Sequence, residues 1–545
     1  MRFSDLLQKM LYKQGVHLCF GIAGAEAEAI SFSPENGIRF FLTRHEFTAG
    51  VMADVAGRIL GHPQLAWATF GPGLTNISTG ACSAALDRSP AIFASAQILR
   101  SEICYNRTHQ CIDNVRFMDP LTKASRSIEI ASDSGSIIEE LVEKSISEIP
   151  GPTYASIPLD ILQEEVPELV AEEMLRAMVP VSRRPPDAPD ERKLAQIARK
   201  IACARNPLIV VGNQVIRETA CDKLTSLVEN SGIPVICTLA SKGAISEEHP
   251  LFLTAVNKYL DLIYRTNILE QIFQDVDLLI LVGYDFGEDL KPSLWPIEAE
   301  TILLNAFEIE APDVFQPDVT CIGDLHQSLS YLSSRIAPKP ALARERMPLK
   351  SLLDSRTPLE RNPDLTDIPA ILRSLSAALG ETGVLCSDIG LHKQYAGVLA
   401  KTRRPNRFLC SNVCGSFGFG LPAGLAAKVC LPDERVIVIA GDGGFHSVSQ
   451  DLETAARYNI AVVIVVLNDS AFGLIEYYQR RSKYASNAEM VRFGTVDFCK
   501  LADANGVGAT RIDDLENLDG ALERAFASFR PHLIEISTKY DPNFR

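Results

Sequence analysis

The run Val436-Ile437-Val438-Ile439-Ala440-Gly441-Asp442-Gly443-Gly444-Phe445 decides the fold of this chain. Its five leading apolar residues read as a strand buried on both faces, and the glycine-rich turn ends it. Ser447-Val448-Ser449-Gln450 follows with capping-box spacing, which predicts a helix running to about Tyr458. A second apolar run, Ala461 to Leu467, ends in Asn468-Asp469-Ser470. Asp442 and Asp469 therefore stand at the ends of two strands joined by one crossover helix. Glycines let backbone amides approach a diphosphate, and two oxygen ligands beside it suit a hard divalent cation. A Gly-Asp-Gly turn alone is common, and only its strand-loop-helix-strand setting gives it weight. A nicotinamide fingerprint fits poorly, because no third glycine stands at the spacing that motif requires.

The same rhythm extends outward through the chain. Phe40-Phe41-Leu42-Thr43 precedes a small-residue helix near 47–60, and Leu65 to Phe70 ends at Gly71-Pro72-Gly73. Further in, Pro207 to Gly212 and Asp277 to Gly283 repeat the pattern. Apolar runs alternating with helices predict an α/β fold of three doubly wound parallel-sheet domains, over 1–165, 190–336 and 366–545. Two proline- and charge-rich stretches, 164–192 and 337–367, read as linkers. Ligands in such folds bind beyond the carboxyl ends of strands, which is where the candidate residues lie.

Composition narrows the function. The 545 residues are 46% hydrophobic and 22% charged, which is globular and not disordered. A net charge of −15 argues against nucleic acid or an anionic membrane as partner. No apolar run reaches the ~20 residues of a membrane span, and charges interrupt any N-terminal signal core. Thirteen scattered cysteines without a Cys-x-x-Cys pair predict reduced thiols in a cytoplasmic protein.

Thr43-Arg44-His45-Glu46 ends a strand and leads into Phe47-Thr48-Ala49-Gly50-Val51. A glutamate between a strand and an Ala/Gly-rich helix is partly desolvated, which favours its protonated form and lets it exchange a proton with a weakly basic ring nitrogen. The structural alternative is an ion pair of Glu46 with Arg44 or Arg58. Gly71 and Asn76 belong to a tight loop at the next strand end.

Together these residues resemble the thiamine-diphosphate enzymes of the acetolactate synthase superfamily, over essentially the whole chain. The resemblance implies that Glu46 contacts the cofactor's aminopyrimidine and that Asp442, Asp469 and the backbone carbonyl of Ala471 hold Mg2+. It implies that Gly441, Gly443, Gly444, Phe445 and Ser447 cradle the diphosphate, that His392 contacts it, and that Phe417 props the cofactor in a bent form. Gly71 and Asn76 join the cofactor-binding set, and His109 and Gln110 face the reacting carbons. One departure is Asp469, where the superfamily usually has Asn; Asp is a competent ligand that adds negative charge.

Within the superfamily the chain resembles most the carboxyethylarginine synthases. The segments that carry this are Leu42 to Val51, Asp87-Arg88-Ser89-Pro90, Thr108-His109-Gln110-Cys111 and Gly283-Tyr284-Asp285 with Glu288-Asp289-Leu290. Asp451-Leu452-Glu453-Thr454, Gly473-Leu474-Ile475-Glu476 and Ala504-Asn505-Gly506-Val507 add to it. The implied activity is transfer of a three-carbon unit from glyceraldehyde 3-phosphate to an amino-acid amine such as arginine. The alternative is acetolactate-type carboligation and decarboxylation of pyruvate or another 2-oxo acid. Lys393-Gln394 stands where the arginine-using family has Arg-His, and it is expected to meet the substrate. Lys offers a phosphate a point charge and not the planar fork of Arg. Gly212-Asn213-Gln214 replaces the glycine run of flavin-carrying relatives, so no FAD is expected. The site is expected at a subunit interface, in a homodimer or homotetramer.

Overall fold

The computed structural model describes residues 1–103, 109–288, 290–295, 298–309, 315–355, 366–482 and 487–539. Eighteen strands among them form three six-stranded sheets in which every named strand pairing is parallel. The first sheet comprises β1 (Leu18–Gly21), β2 (Arg39–Leu42), β3 (Leu65–Ala68), β4 (Ala91–Gln97), β5 (Ser125–Ser127) and β6 (Pro152–Pro158). The middle sheet holds β7 (Pro207–Val211), β8 (Val235–Thr238), β9 (Phe252–Val256), β10 (Leu278–Val282), β11 (Glu300–Asn305) and β12 (Val319–Ile322). The third holds β13 (Val384–Ser387), β14 (Phe408–Cys410), β15 (Val436–Gly441), β16 (Val463–Asn468), β17 (Gly508–Ile512) and β18 (His532–Ser537).

The first sheet runs β2-β1-β3-β4-β6-β5, and the third repeats that order as β14-β13-β15-β16-β18-β17. The middle sheet differs, with β12-β11-β10-β7-β8-β9. In the third sheet the order reverses between β13 and β15, and a doubly wound sheet opens its binding crevice at such a reversal.

Helices place the site residues. Helix α1 (Glu46–Leu60) starts directly at Glu46, because His45 caps it by accepting the Phe47 N–H at Nδ1 over 3.1 Å. Helix α2 (Pro72–Leu86) follows Gly71, whose φ of 65° suits glycine. These two helices cross at bare backbone: a Cβ on Gly80 would stand 2.6 Å from the Gly50 Cα. In the third domain lie α3 (Leu391–Leu399), α4 (Gly420–Cys430), α5 (Asp442–His446) and α6 (Gly473–Arg481).

The first and third domains share one core. Val51, Met52 and Val55 of α1 belong to the same buried apolar cluster as Leu421 and Leu425 of α4. Polar ties reinforce the joint. Arg58 donates to both Asp54 oxygens, to Asp87 and to the Cys410 carbonyl, 352 residues away in the chain. Asp451 accepts from the Arg44 N–H at 2.8 Å and the Thr48 hydroxyl at 2.7 Å.

Two expectations change. Ser447 does not open a helix: its Oγ donates to the Gly444 carbonyl, and the chain runs from α5 through a short 3-10 turn into a helix only at Leu452–Arg457. The turn is shaped instead by Asp442, which accepts the N–H of the next residue. Neither proline- and charge-rich stretch is all linker: Glu168–Ala177 is helical within 164–192 and buries Ala171, and Pro340–Ser355 is helical within 337–367. Among the described residues no disulfide is present, and no helix is long and apolar enough to cross a membrane.

Candidate active site

The crevice between β13 and β15 is a cleft of about 110 Å3 lined by His392, Phe417, Gly441 to Gly444, Asp469 and Ala471 to Ile475. Asp442 is buried, and its two oxygens accept the Gly443 N–H at 2.8 Å and the Ser470 N–H at 2.6 Å. One carboxylate thus locks together the loops after β15 and β16. Ser470 adopts φ 54°, which turns the chain back at Asp469. Burial pushes Asp442 above the usual carboxylate range. Burial, then the Asp442 charge, push Asp469 up to about 7. Two carboxyls that resist joint ionisation are an oxygen set that a divalent cation would stabilise.

Ala471 is buried and pairs with Arg492 in an isolated antiparallel bridge. That bridge uses the Ser470 carbonyl and the Phe472 N–H, and not the Ala471 carbonyl. A Cβ on Gly443 would stand 2.6 Å from the Phe472 ring and one on Gly444 3.0 Å from the Asp388 carboxyl, so a side chain at either would have to displace its neighbour. His392 is buried, burial lowers its pKa to about 4, and its Nε2 has no hydrogen-bond partner. A buried imidazole nitrogen without a partner, beside bare backbone and paired carboxyls, fits a diphosphate and its cation. Phe417 is 43% exposed, edge-on to Phe472 at 5.4 Å, and offers an apolar step at the mouth. The Phe445 side chain is fully buried against Phe498.

In the first domain, Glu46 is 9% exposed and its Oε2 accepts from the Asn76 amide at 3.0 Å. Arg58 is engaged by Asp54 and Asp87, so it is not the partner of Glu46. Gln110, at φ 59°, comes so near Gly71 that a Cβ there would lie 2.7 Å from the Gln110 Cβ. His109 beside it is exposed, while Thr108 and Asp289 lie outside the described residues. Glu46, Asn76, Gly71 and Gln110 thus gather around the start of α2. None of them lines the cleft of the third domain.

Lys393 and Gln394 do not line it either. Lys393 is buried and donates to the Ser411 carbonyl at 3.0 Å. Gln394 accepts from Asn257 of the middle domain. Sequence reasoning passed over Asp388, which follows β13 as Asp442 follows β15. The signal was present in Ser387-Asp388-Ile389-Gly390, an acid and a glycine directly after an apolar run.

Three family models match the chain in order. They describe the N-terminal TPP binding domain of thiamine pyrophosphate enzymes over residues 1–117, the central domain over 194–332, and the C-terminal TPP binding domain over 388–536. The chain belongs to the thiamine pyrophosphate enzymes. Its relatives within this family include the acetolactate synthase of Bacillus subtilis (strain 168), 26% identical over 99% of this chain and 94% of the relative. A probable acetolactate synthase large subunit of Methanococcus aeolicus is 28% identical over 98% and 92%. The isozyme 3 large subunit of Escherichia coli (strain K12) is 25% identical over 97% and 92%. The cleft of this acetolactate synthase-like thiamine pyrophosphate enzyme lies within the stretch matched by the C-terminal TPP binding domain.

Proposed function

We propose that this enzyme is an acetolactate synthase-type carboligase, which decarboxylates a 2-oxo acid such as pyruvate and joins the remaining unit to a second carbonyl. The cleft built on Asp442 and Asp469 carries the reading, with full-length similarity to acetolactate synthases beside it. Bound thiamine diphosphate would supply a nucleophilic carbon and an electron sink for loss of carbon dioxide. Asp442, Asp469 and the Ala471 carbonyl would hold Mg2+, and the Gly443 and Gly444 backbone with His392 would hold the diphosphate. Phe417 would support the cofactor's bend and exclude water. Glu46, oriented by Asn76, would exchange a proton with the aminopyrimidine ring, and His109 and Gln110 would move protons at the substrate. This reading carries no flavin. At the ends of the middle strands the Asn213 N–H donates to Glu288 at 2.9 Å and the Ala306 N–H to Gln214 at 3.0 Å.

Because Glu46 lies outside the cleft, we take the complete site to join the first domain of one copy to the third domain of another. A second reading, transfer of a three-carbon unit from glyceraldehyde 3-phosphate to an amine, is favoured by the Arg44-His45-Glu46-Phe47 and His109-Gln110-Cys111 segments. One assay separates the two. With thiamine diphosphate and Mg2+, pyruvate should release carbon dioxide and give acetolactate by mass. Phosphate release from the triose phosphate with a carboxyethyl-arginine mass, and no carbon dioxide from pyruvate, would replace the first reading with the second.

A further inference from the structure

Asp388 is fully buried directly after β13. Its Oδ1 accepts the Ile389 N–H at 2.6 Å and the Gly418 N–H at 3.1 Å, and its Oδ2 accepts the Gly420 N–H at 3.3 Å. Ile389 leads into α3, which carries His392. Gly418 and Gly420 bracket the turn between Phe417 and α4, and Gly418 has φ 81°. The same carboxyl abuts the Gly444 Cα, so closely that a methyl group there would stand 3.0 Å from Asp388 Oδ2. Asp388 thus touches all three segments that wall the diphosphate end of the cleft.

We propose that Asp388 is the positioning residue of the diphosphate cradle, fastening the Phe417 turn and the start of α3 against the Gly444 backbone before any cofactor arrives. Amide donors bound to a buried carboxylate form charge-assisted hydrogen bonds, stronger and more directional than those to a neutral acceptor. A preset cradle avoids the cost of ordering a glycine-rich loop on binding, which is the gain from preorganisation. An asparagine would keep one acceptor and turn an NH2 donor toward the Gly420 N–H.

The inference rests on membership of the thiamine pyrophosphate family and not on the substrate, so it is tested without substrate. Thiamine diphosphate affinity is titrated by intrinsic fluorescence with Mg2+ in excess, on the full-length protein freed of cofactor. Asp388→Asn should bind the cofactor at least tenfold more weakly, with kcat at saturating cofactor within threefold of the parent. Unchanged affinity, or a fall in kcat with affinity intact, would overturn the proposal. The parent protein provides a second measurement should the variant fail to fold. Without cofactor, the Gly418 and Gly420 amides should exchange with solvent at least a hundredfold more slowly than in an unstructured peptide. Free exchange that slows only when thiamine diphosphate is added would show that the cofactor orders the turn and would sink the idea.

Discussion

At the residue scale, the strongest commitment concerns Glu46. Replacing it with Gln preserves an oxygen for the Asn76 amide, so cofactor affinity should change little. Turnover should fall by roughly 100-fold or more, the usual cost of losing a proton-exchanging group. A Glu46→Gln protein with near-parental kcat would remove the assignment. Glu46, Asp442 and Asp469 stand out in the sequence as candidates because each follows an apolar run and belongs to a residue type with few reasons to be there. The surroundings of Lys393 and Phe445 were not legible. Both are flanked by site residues, yet one meets a carbonyl and the other the core. Which way a side chain points at a strand end depends on packing from other segments, and that is absent from local pattern.

At the scale of elements, the α1–α2 crossing depends on two facing glycines. A methyl at Gly80 would sit 2.6 Å from the Gly50 Cα, so Gly80→Ala should destabilise by about 1–3 kcal/mol and lower the melting temperature. A parental melting temperature would show that the helices can move apart freely. The strand ends of the middle domain yield a pH prediction. Burial raises the Glu288 pKa from the usual 4.5 to about 8. The folded protein thus keeps this proton over a range in which the unfolded chain has lost it. The stability it contributes is full below about 4.5 and lost as pH rises through 8. Glu288→Gln should flatten the decline in melting temperature between those limits, and identical profiles would contradict the shift. The apolar runs were legible as strands because both faces are covered. The α5 break was not, because the Ser470 N–H that Asp442 accepts comes from the loop after the next strand, which local sequence pattern does not show.

At the scale of the molecule, the subunit arrangement has a direct test. Glu46→Gln and Asp442→Ala proteins should each be nearly inactive. If the site joins two copies, mixing and exchanging subunits should restore about a quarter of parental activity, since half the pairs formed at random carry one intact site of two. No recovery would place both residues in a site made by one chain. The matching strand order of the first and third sheets was invisible in the sequence, because topology leaves no repeat in side-chain identity. The shared core between them has a consequence in time. Arg58 and its acceptor carbonyl on Cys410 are 352 residues apart, so at ribosomal speeds of ~5–20 residues per second the first domain waits roughly 20–70 s for its other half. For that interval Val51, Met52 and Val55 of α1 lack their α4 partners Leu421 and Leu425. Synthesis of this chain therefore includes a period of exposed apolar surface, which a pause, a chaperone or a neighbouring nascent chain must cover.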